Sequence, residues 1–236
     1  MKIESLNKVE KFWDRTASSY DKEEKKDEKI YLQLIEKSKV YLKLTDFVLD
    51  FGCGTGLVSN EIANSARKIH AIDLSSKMID IAKNKAEKRE IFNIEYMHST
   101  IFDSRLKKGT FDIILAFYVL HLVEDTQAVI QRINELLKPG GFIISATPCM
   151  GEKLLLSRIF SIFSKVGIVP RIKSFKLYDL EQSLTDANFT IVEDDKLVGT
   201  SNQYFTVAKK ITNGFRKTKS KICGFANYYG YDCRDF

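Results

Sequence analysis

The chain of 236 residues is predicted to fold as an α/β three-layer sandwich, a mostly parallel sheet with helices on both faces. Three observations predict it. Short apolar runs at 47–51, 68–73, 94–98, 111–117 and 141–146 alternate with segments of helical period. The first run ends in Asp50 and enters Gly52-Cys53-Gly54-Thr55-Gly56, a turn from strand into helix. The second run ends in another acid, Asp73. Strands separated by helix-length segments need crossover connections, and such strands lie parallel.

Taken in order, residues 5–20 and 27–43 read as helices. In the second, Ile30, Leu34, Ile35, Tyr41, Leu42 and Leu44 form an apolar face after the charged entry 22–29. Helix 57–65 follows the glycine run, helix 76–90 follows the second strand, and a helix near 126–137 precedes the fifth. The last third changes character. A helix at 179–188 leads into two strands, 189–193 and 203–209, close enough in sequence to pair. No internal repeat or low-complexity segment interrupts the pattern.

The glycines carry the first functional information. A backbone that turns sharply and approaches a ligand closely needs residues without a Cβ and with access to positive φ, a need that Gly52, Gly54 and Gly56 meet. The helix beginning near Leu57 opens with unpaired N–H groups and the positive end of its dipole. Asp73, at the tip of the next strand, is placed to accept hydrogen bonds from ribose hydroxyls. A nucleoside-binding site follows. The spacing is G-x-G-x-G, with Leu57 where the dinucleotide fingerprint wants its third glycine, so an NAD-dependent oxidoreductase is disfavoured.

On these residues the chain resembles the class I S-adenosylmethionine-dependent methyltransferases. The resemblance continues in ordered blocks over about residues 10–210: Asp73-Leu74-Ser75-Ser76-Lys77-Met78-Ile79, His98-Ser99-Thr100-Ile101, Phe111-Asp112-Ile113-Ile114-Leu115-Ala116, Leu120-His121, and Leu136-Leu137-Lys138-Pro139-Gly140-Gly141. It is most similar to the small-molecule branch that includes ubiquinone and menaquinone C-methyltransferases. The resemblance implies a Rossmann-like sheet of seven strands with an antiparallel closing pair. It implies S-adenosyl-L-methionine as cofactor, with Asp50 near its methionine end, Gly52, Cys53, Gly54 and Gly56 beneath it, and Asp73 and Leu74 at the ribose. Met78, Ser99, Thr100 and Ile101 would lie by the adenine, with Ala116 on strand four completing the cofactor set. Met78 and Ile101 also read as ordinary core residues. Thr100 stands where this branch often has Asp or Asn, so a hydroxyl or backbone group would make the adenine contact.

Two regions are expected to shape the acceptor site beyond the carboxyl ends of the strands. Phe12 to Asp21 resembles the F-x-x-x-A-x-x-Y-D segment that lies across the cofactor, with Tyr20 closing over the site. Residues 150–175 carry an apolar helical face, and the charges between Leu154 and Phe175, which are Arg158, Lys165, Arg171 and Lys173, are all positive. This segment reads either as a lid for an aromatic or lipophilic acceptor or as a helix packed on the sheet. The catalytic candidates are His121 as a general base, with Tyr118 and Tyr20 as orienting groups; His121 also reads as structural. Pro148-Cys149 has no Pro-Cys partner after strand four, and N-P-P-[YF] is absent there, so base methylation on nucleic acid ranks low.

The expected division is N-terminal helices over the cofactor site in 1–46, a methyltransferase core in 47–210 with the 150–175 insertion, and a basic aromatic tail in 211–236. The chain's net charge is +6, of which residues 209–236 hold +5 and residues 1–208 only +1. A general polyanion-binding surface on the core is therefore not supported, and nucleic acid is disfavoured as a partner relative to a small-molecule acceptor. An RNA or protein methyltransferase using the tail is the alternative, as is a catalytically inactive cofactor-binding subunit. The four cysteines form no C-x-x-C pair, and no metal site is expected. Met1 to Ser5 leads into a charged helix, and the longest apolar stretch, Phe111 to Val123, is too short to span a bilayer; a cytoplasmic protein is expected.

Overall fold

In the computed structural model, residues 3–24, 28–149, 176–200 and 202–212 are described. Helices α1 (Ile3–Glu24) and α2 (Glu28–Lys39) precede β1 (Phe47–Phe51), α3 (Leu57–Ile62), β2 (Lys68–Asp73), α4 (Ser76–Lys88), β3 (Ile94–His98) and β4 (Phe111–Phe117). Then come α5 (Thr126–Leu136), β5 (Leu137–Pro148), α6 (Leu177–Asp186), β6 (Phe189–Lys196) and β7 (Gln203–Lys210). The strands form one seven-stranded sheet in the order β3-β2-β1-β4-β5-β7-β6. Strands β1 to β5 pair in parallel, and β7 runs antiparallel between β5 and β6. This is the Rossmann-like sheet with an antiparallel closing pair.

Alternation along the strands divides the core in two. Val48, Ile113 and Leu115 face the layer of α2, α3 and α4, where Leu34, Val58, Ile62 and Ile79 meet them. Leu49, Ile114 and Ala116 face α5 and α6, against Val129, Ile133 and Leu184. Asp50, between Leu49 and Phe51, is thereby turned toward α3. Connections from β1 run to β2 on one side, and its other neighbour is β4, so the order reverses at β1. The crevice outside the carboxyl end of that strand is where open α/β sheets bind ligands.

Three element boundaries differ from the sequence reading, each for a local reason. Helix α2 stops at Lys39, because the chain turns there, with Tyr41 N–H donating to Ser38 O at 3.0 Å. Tyr41 then packs on Phe142 (centroids 5.8 Å apart) and donates to Glu193, while Leu44 is exposed. Strand β5 begins at Leu137 instead of Gly141: Leu137 pairs with Phe111, and a register irregularity with Gly140 at φ +77° absorbs the extra residues. A bulge between Ile191 and Glu193 carries β6 on to Lys196.

Because β7 is antiparallel to β5, with Phe142 opposite Lys209, its last residues lie at the amino ends of the parallel strands. The chain leaves the sheet at the edge away from the glycine loop. The expected lid, 150–175, and residues 213–236 of the expected tail lie outside the described residues.

Candidate cofactor site and acceptor cleft

Gly52, Gly54 and Gly56 have φ of +77°, +53° and +76°, and they are glycines for different reasons. A Cβ on Gly52 would lie 2.8 Å from Val119 Cγ2, and one on Gly56 would lie 2.6 Å from the Tyr96 hydroxyl. These two are packed against the fold. A Cβ on Gly54 would meet only Tyr20 Cε1, at 3.7 Å, so this residue is the open surface of the loop. The loop is anchored to β2 through Gly52 N–H and Cys53 N–H, both donating to Ile72 O at 2.9 and 3.0 Å.

Asp73 is held by two backbone donors: Gly54 N–H reaches Oδ2 at 2.9 Å and Ser75 N–H reaches Oδ1 at 2.8 Å. Each oxygen keeps acceptor capacity for a further donor. Burial pushes this carboxyl up, and the bonds from Ser75 and Gly54 oppose the shift. Asp50 is almost fully buried and accepts from the Ser59 hydroxyl; burial pushes its pKa up to about 6. Burial likewise pushes the Cys53 thiol well up, so it is not a thiolate nucleophile near neutral pH.

Helix α1 is tied to this loop through residues the sequence reading did not single out. Asp14 accepts from the Ser75 hydroxyl at 2.6 Å and from Lys77 N–H at 3.2 Å. Asp21 accepts from the buried Thr55 hydroxyl at 2.5 Å and pairs with Lys85. The sequence signal was present: Asp14 and Asp21 lie two helical turns apart, on one face of α1, as do Trp13 and Tyr20, whose rings meet edge to face at 6.4 Å. Glu10 extends the contact to His98, 3.1 Å away, whose Nε2 also lies 2.8 Å from Leu74 O.

A cleft opens to solvent beside the loop. Asp50, Gly52, Cys53 and Gly54 line its base, and Tyr20, Tyr31, Phe117 and Tyr118 stand around it. Tyr118 has φ +53°, sparsely populated for an aromatic residue. Its N–H donates to Ala146 O at 2.8 Å, and its hydroxyl donates to Gln203 Oε1 at 2.7 Å.

The other predicted site residues lie apart from this cleft. Met78, Ile101 and Ala116 are buried. Ser99 N–H donates to Asp73 O at 2.9 Å, joining the adenine segment to the acid, and the Ser99 hydroxyl bonds Asp103 at 3.0 Å. Thr100 is half-buried at the turn that follows, where its carbonyl accepts from Asp103 N–H. Gly56 forms the left-handed entry to α3. His121 was expected at the mouth of the site, but it is buried and is not among the residues lining the cleft. Burial lowers its pKa to about 4, and its Nδ1 has no hydrogen-bond partner among the described residues.

The geometry defines a nucleoside-cofactor site on a Rossmann-like sheet, and comparison with known proteins gives its class. Residues 48–141 match the family described as "Methyltransferase domain", and this part of the chain is similar to class I methyltransferases, whose cofactor is S-adenosylmethionine. Over 124 residues the chain is 38% identical to a ubiquinone biosynthesis O-methyltransferase of Coxiella burnetii, covering 52% of this chain and 53% of that protein. A protein of the same name from Colwellia psychrerythraea is 32% identical over 124 residues, 52% of this chain and 50% of that one. The matched part thus spans about half the length of these curated relatives. Among solved structures, geranyl diphosphate methyltransferase in complex with SAM has the same fold, with a TM-score of 0.65 at 14% identity, covering 77% of this chain and 85% of that one. The residues present fit the cofactor: an open backbone surface at Gly54 adjoins a carboxylate at a strand tip with acceptor capacity to spare.

Proposed function

We propose that the chain transfers a methyl group from S-adenosylmethionine to a hydroxyl of a small aromatic or lipophilic acceptor. The observation that carries this reading is the cleft, lined by four aromatic side chains and by Gly52, Cys53 and Gly54, of which Gly54 is also tied to Asp73. Such a lining favours a ligand that leaves water readily. The names of the curated relatives support a small acceptor, and they specify oxygen as the methylated atom, where the sequence resemblance pointed to the carbon-methylating branch.

S-adenosylmethionine supplies an electrophilic methyl carbon on a cationic sulfur. In this reading Asp73 and the backbone around Leu74 hold the ribose, and Met78, Ser99, Thr100 and Ile101 bound the adenine. Asp50 receives the methionine end, above Gly52, Cys53, Gly54 and Gly56, with Ala116 behind. Tyr20 and Tyr118 align the acceptor oxygen with the methyl carbon and sulfur, and α1 excludes water. With the cofactor bound, transfer would form the carbon–oxygen bond as the carbon–sulfur bond is lost, and the electron pair would stay on sulfur. The hydroxyl proton must then be taken up. His121 does not line the cleft, so in this proposal it takes up the proton through an intervening water, as a weak base whose buried ring is neutral at pH 7.

Calorimetric titration with S-adenosylhomocysteine tests the cofactor, with Asp73→Ala expected to bind about a hundredfold more weakly. No binding to the native chain would sink the proposal. Turnover on phenols and catechols of increasing alkyl length then tests the acceptor class. His121→Gln tests the base: unchanged kcat across pH 6–9 would leave this residue structural.

A further inference from the structure

We infer that Tyr31, Tyr118 and Tyr20 form an aromatic cage that selects a positively charged sulfonium over a neutral thioether. This inference rests on the reading of the cofactor above. The rings come from three separate elements, α2, the turn after β4, and α1, and all three border the cleft that Asp50 closes. The Tyr31 and Tyr118 centroids are 6.1 Å apart with planes inclined at 57°, an angular arrangement instead of a stack. Tyr118 is held at both ends, by its backbone N–H on Ala146 and its hydroxyl on Gln203. With that hydroxyl committed, what Tyr118 offers the cleft is its ring.

Among the described residues lining the cleft none is cationic, and Asp50 is the one carboxylate. Asp50 attracts any nearby cation, including the ammonium that cofactor and product share, so it does not read the sulfur specifically. Both carry the same ammonium and carboxylate; they differ in the methyl group and in the charge on sulfur. Ring faces carry negative electrostatic potential and attract a desolvated cation, whereas a neutral sulfur gains no such attraction. The cage therefore supplies the discrimination, and Gln203, on β7, is a positioning residue that fixes one of its walls. Loss of the sulfur's charge on methyl transfer then removes the attraction that held the cofactor, which favours release of the thioether.

The test is calorimetry at pH 8 with three probes: S-adenosylmethionine, sinefungin, whose amine is cationic near the corresponding position, and neutral S-adenosylhomocysteine. Tyr31→Leu is expected to lower the affinity of both cations relative to the neutral probe by about tenfold, and Tyr31→Phe to keep the native ratio. Gln203→Leu should give a smaller fall in the same ratio. Tyr118→Leu serves as the second ring deletion should Tyr31→Leu not fold, as judged by its thermal transition. A cation-to-neutral ratio within twofold of native in the leucine variant overturns the cage. Failure of the native chain to bind any of the three overturns the cofactor reading, and the cage with it.

Discussion

Around the glycine loop the carboxylates are all met by donors: Asp73 by Gly54 and Ser75, Asp50 by Ser59, Asp14 by Ser75 and Lys77, and Asp21 by Thr55. Along the carboxyl ends of β4 and β5 the situation is reversed, since Ser145 Oγ, Thr147 Oγ1 and His121 Nδ1 are buried without a partner among the described residues. A buried polar atom left unpaired costs about 1–3 kcal/mol. One region has its polar groups arranged and fixed before any ligand arrives, while the other holds hydrogen-bonding capacity that the described residues leave unmet. The contrast teaches that the cofactor end is preorganised and that the strand ends opposite it carry a stability cost.

The largest expected effect tests the preorganised end. Gly56→Ala would force a Cβ against the Tyr96 hydroxyl at 2.6 Å in a residue with φ +76°, and should destabilise the fold by about 3 kcal/mol in urea. Gly54→Ala meets no such contact and should lose only about 1 kcal/mol, from its φ of +53° alone. Equal losses would show that the two glycines are not divided between packing and ligand approach.

The next effect opposes one titrating group from each region. Burial raises Asp50 to about 6 from 3.8 and lowers His121 to about 4 from 6.5. The raised acid contributes stability that is present below pH 4 and lost as pH rises through 6; the lowered histidine contributes stability that is present above pH 6.5 and lost as pH falls through 4. Between pH 4 and 6 the two oppose each other, each by about 2–3 kcal/mol. Asp50→Asn should therefore make stability fall more steeply on acidification from pH 6.5 to 4.5 than in the native chain. His121→Phe should flatten or reverse the native slope. Parallel urea midpoints against pH in all three chains would break the comparison.

The smallest effect concerns the unmet hydroxyls. Thr147→Val replaces an unpartnered buried oxygen with a methyl group and should stabilise the ligand-free chain by about 1 kcal/mol. A destabilised variant would mean that the hydroxyl is bonded in solution and that the two regions are alike.

Much of this arrangement was legible before any coordinates. Short apolar runs located the parallel strands, because burial on both faces of a sheet leaves nearly every residue of a strand apolar. The positive-φ loop announced itself as glycines, and Asp50 and Asp73 are read from strand ends, so Asp50, Gly52, Cys53, Gly54, Tyr20 and Tyr118 were all named in advance and share one cleft. Helix and strand ends were less legible. An apolar period runs past Lys39 although Leu44 points to solvent, and Pro139-Gly140 reads as a turn although the strand has begun.

The sequence by itself determined the elements, the loop and its acids, since each depends on residues a few positions apart. Tertiary structure decided which distant groups meet. Tyr31 reaches Tyr118 from α2. Gln203 reaches Tyr118 because β7 turns back antiparallel to β5 and sets Gln203 opposite Pro148. It also decided that His121 is buried and neutral while Tyr118 borders the cleft, a difference between near neighbours on one turn. The reason is physical: local pattern records which face of a strand or helix is buried, whereas sheet order and packing set what lies across from it.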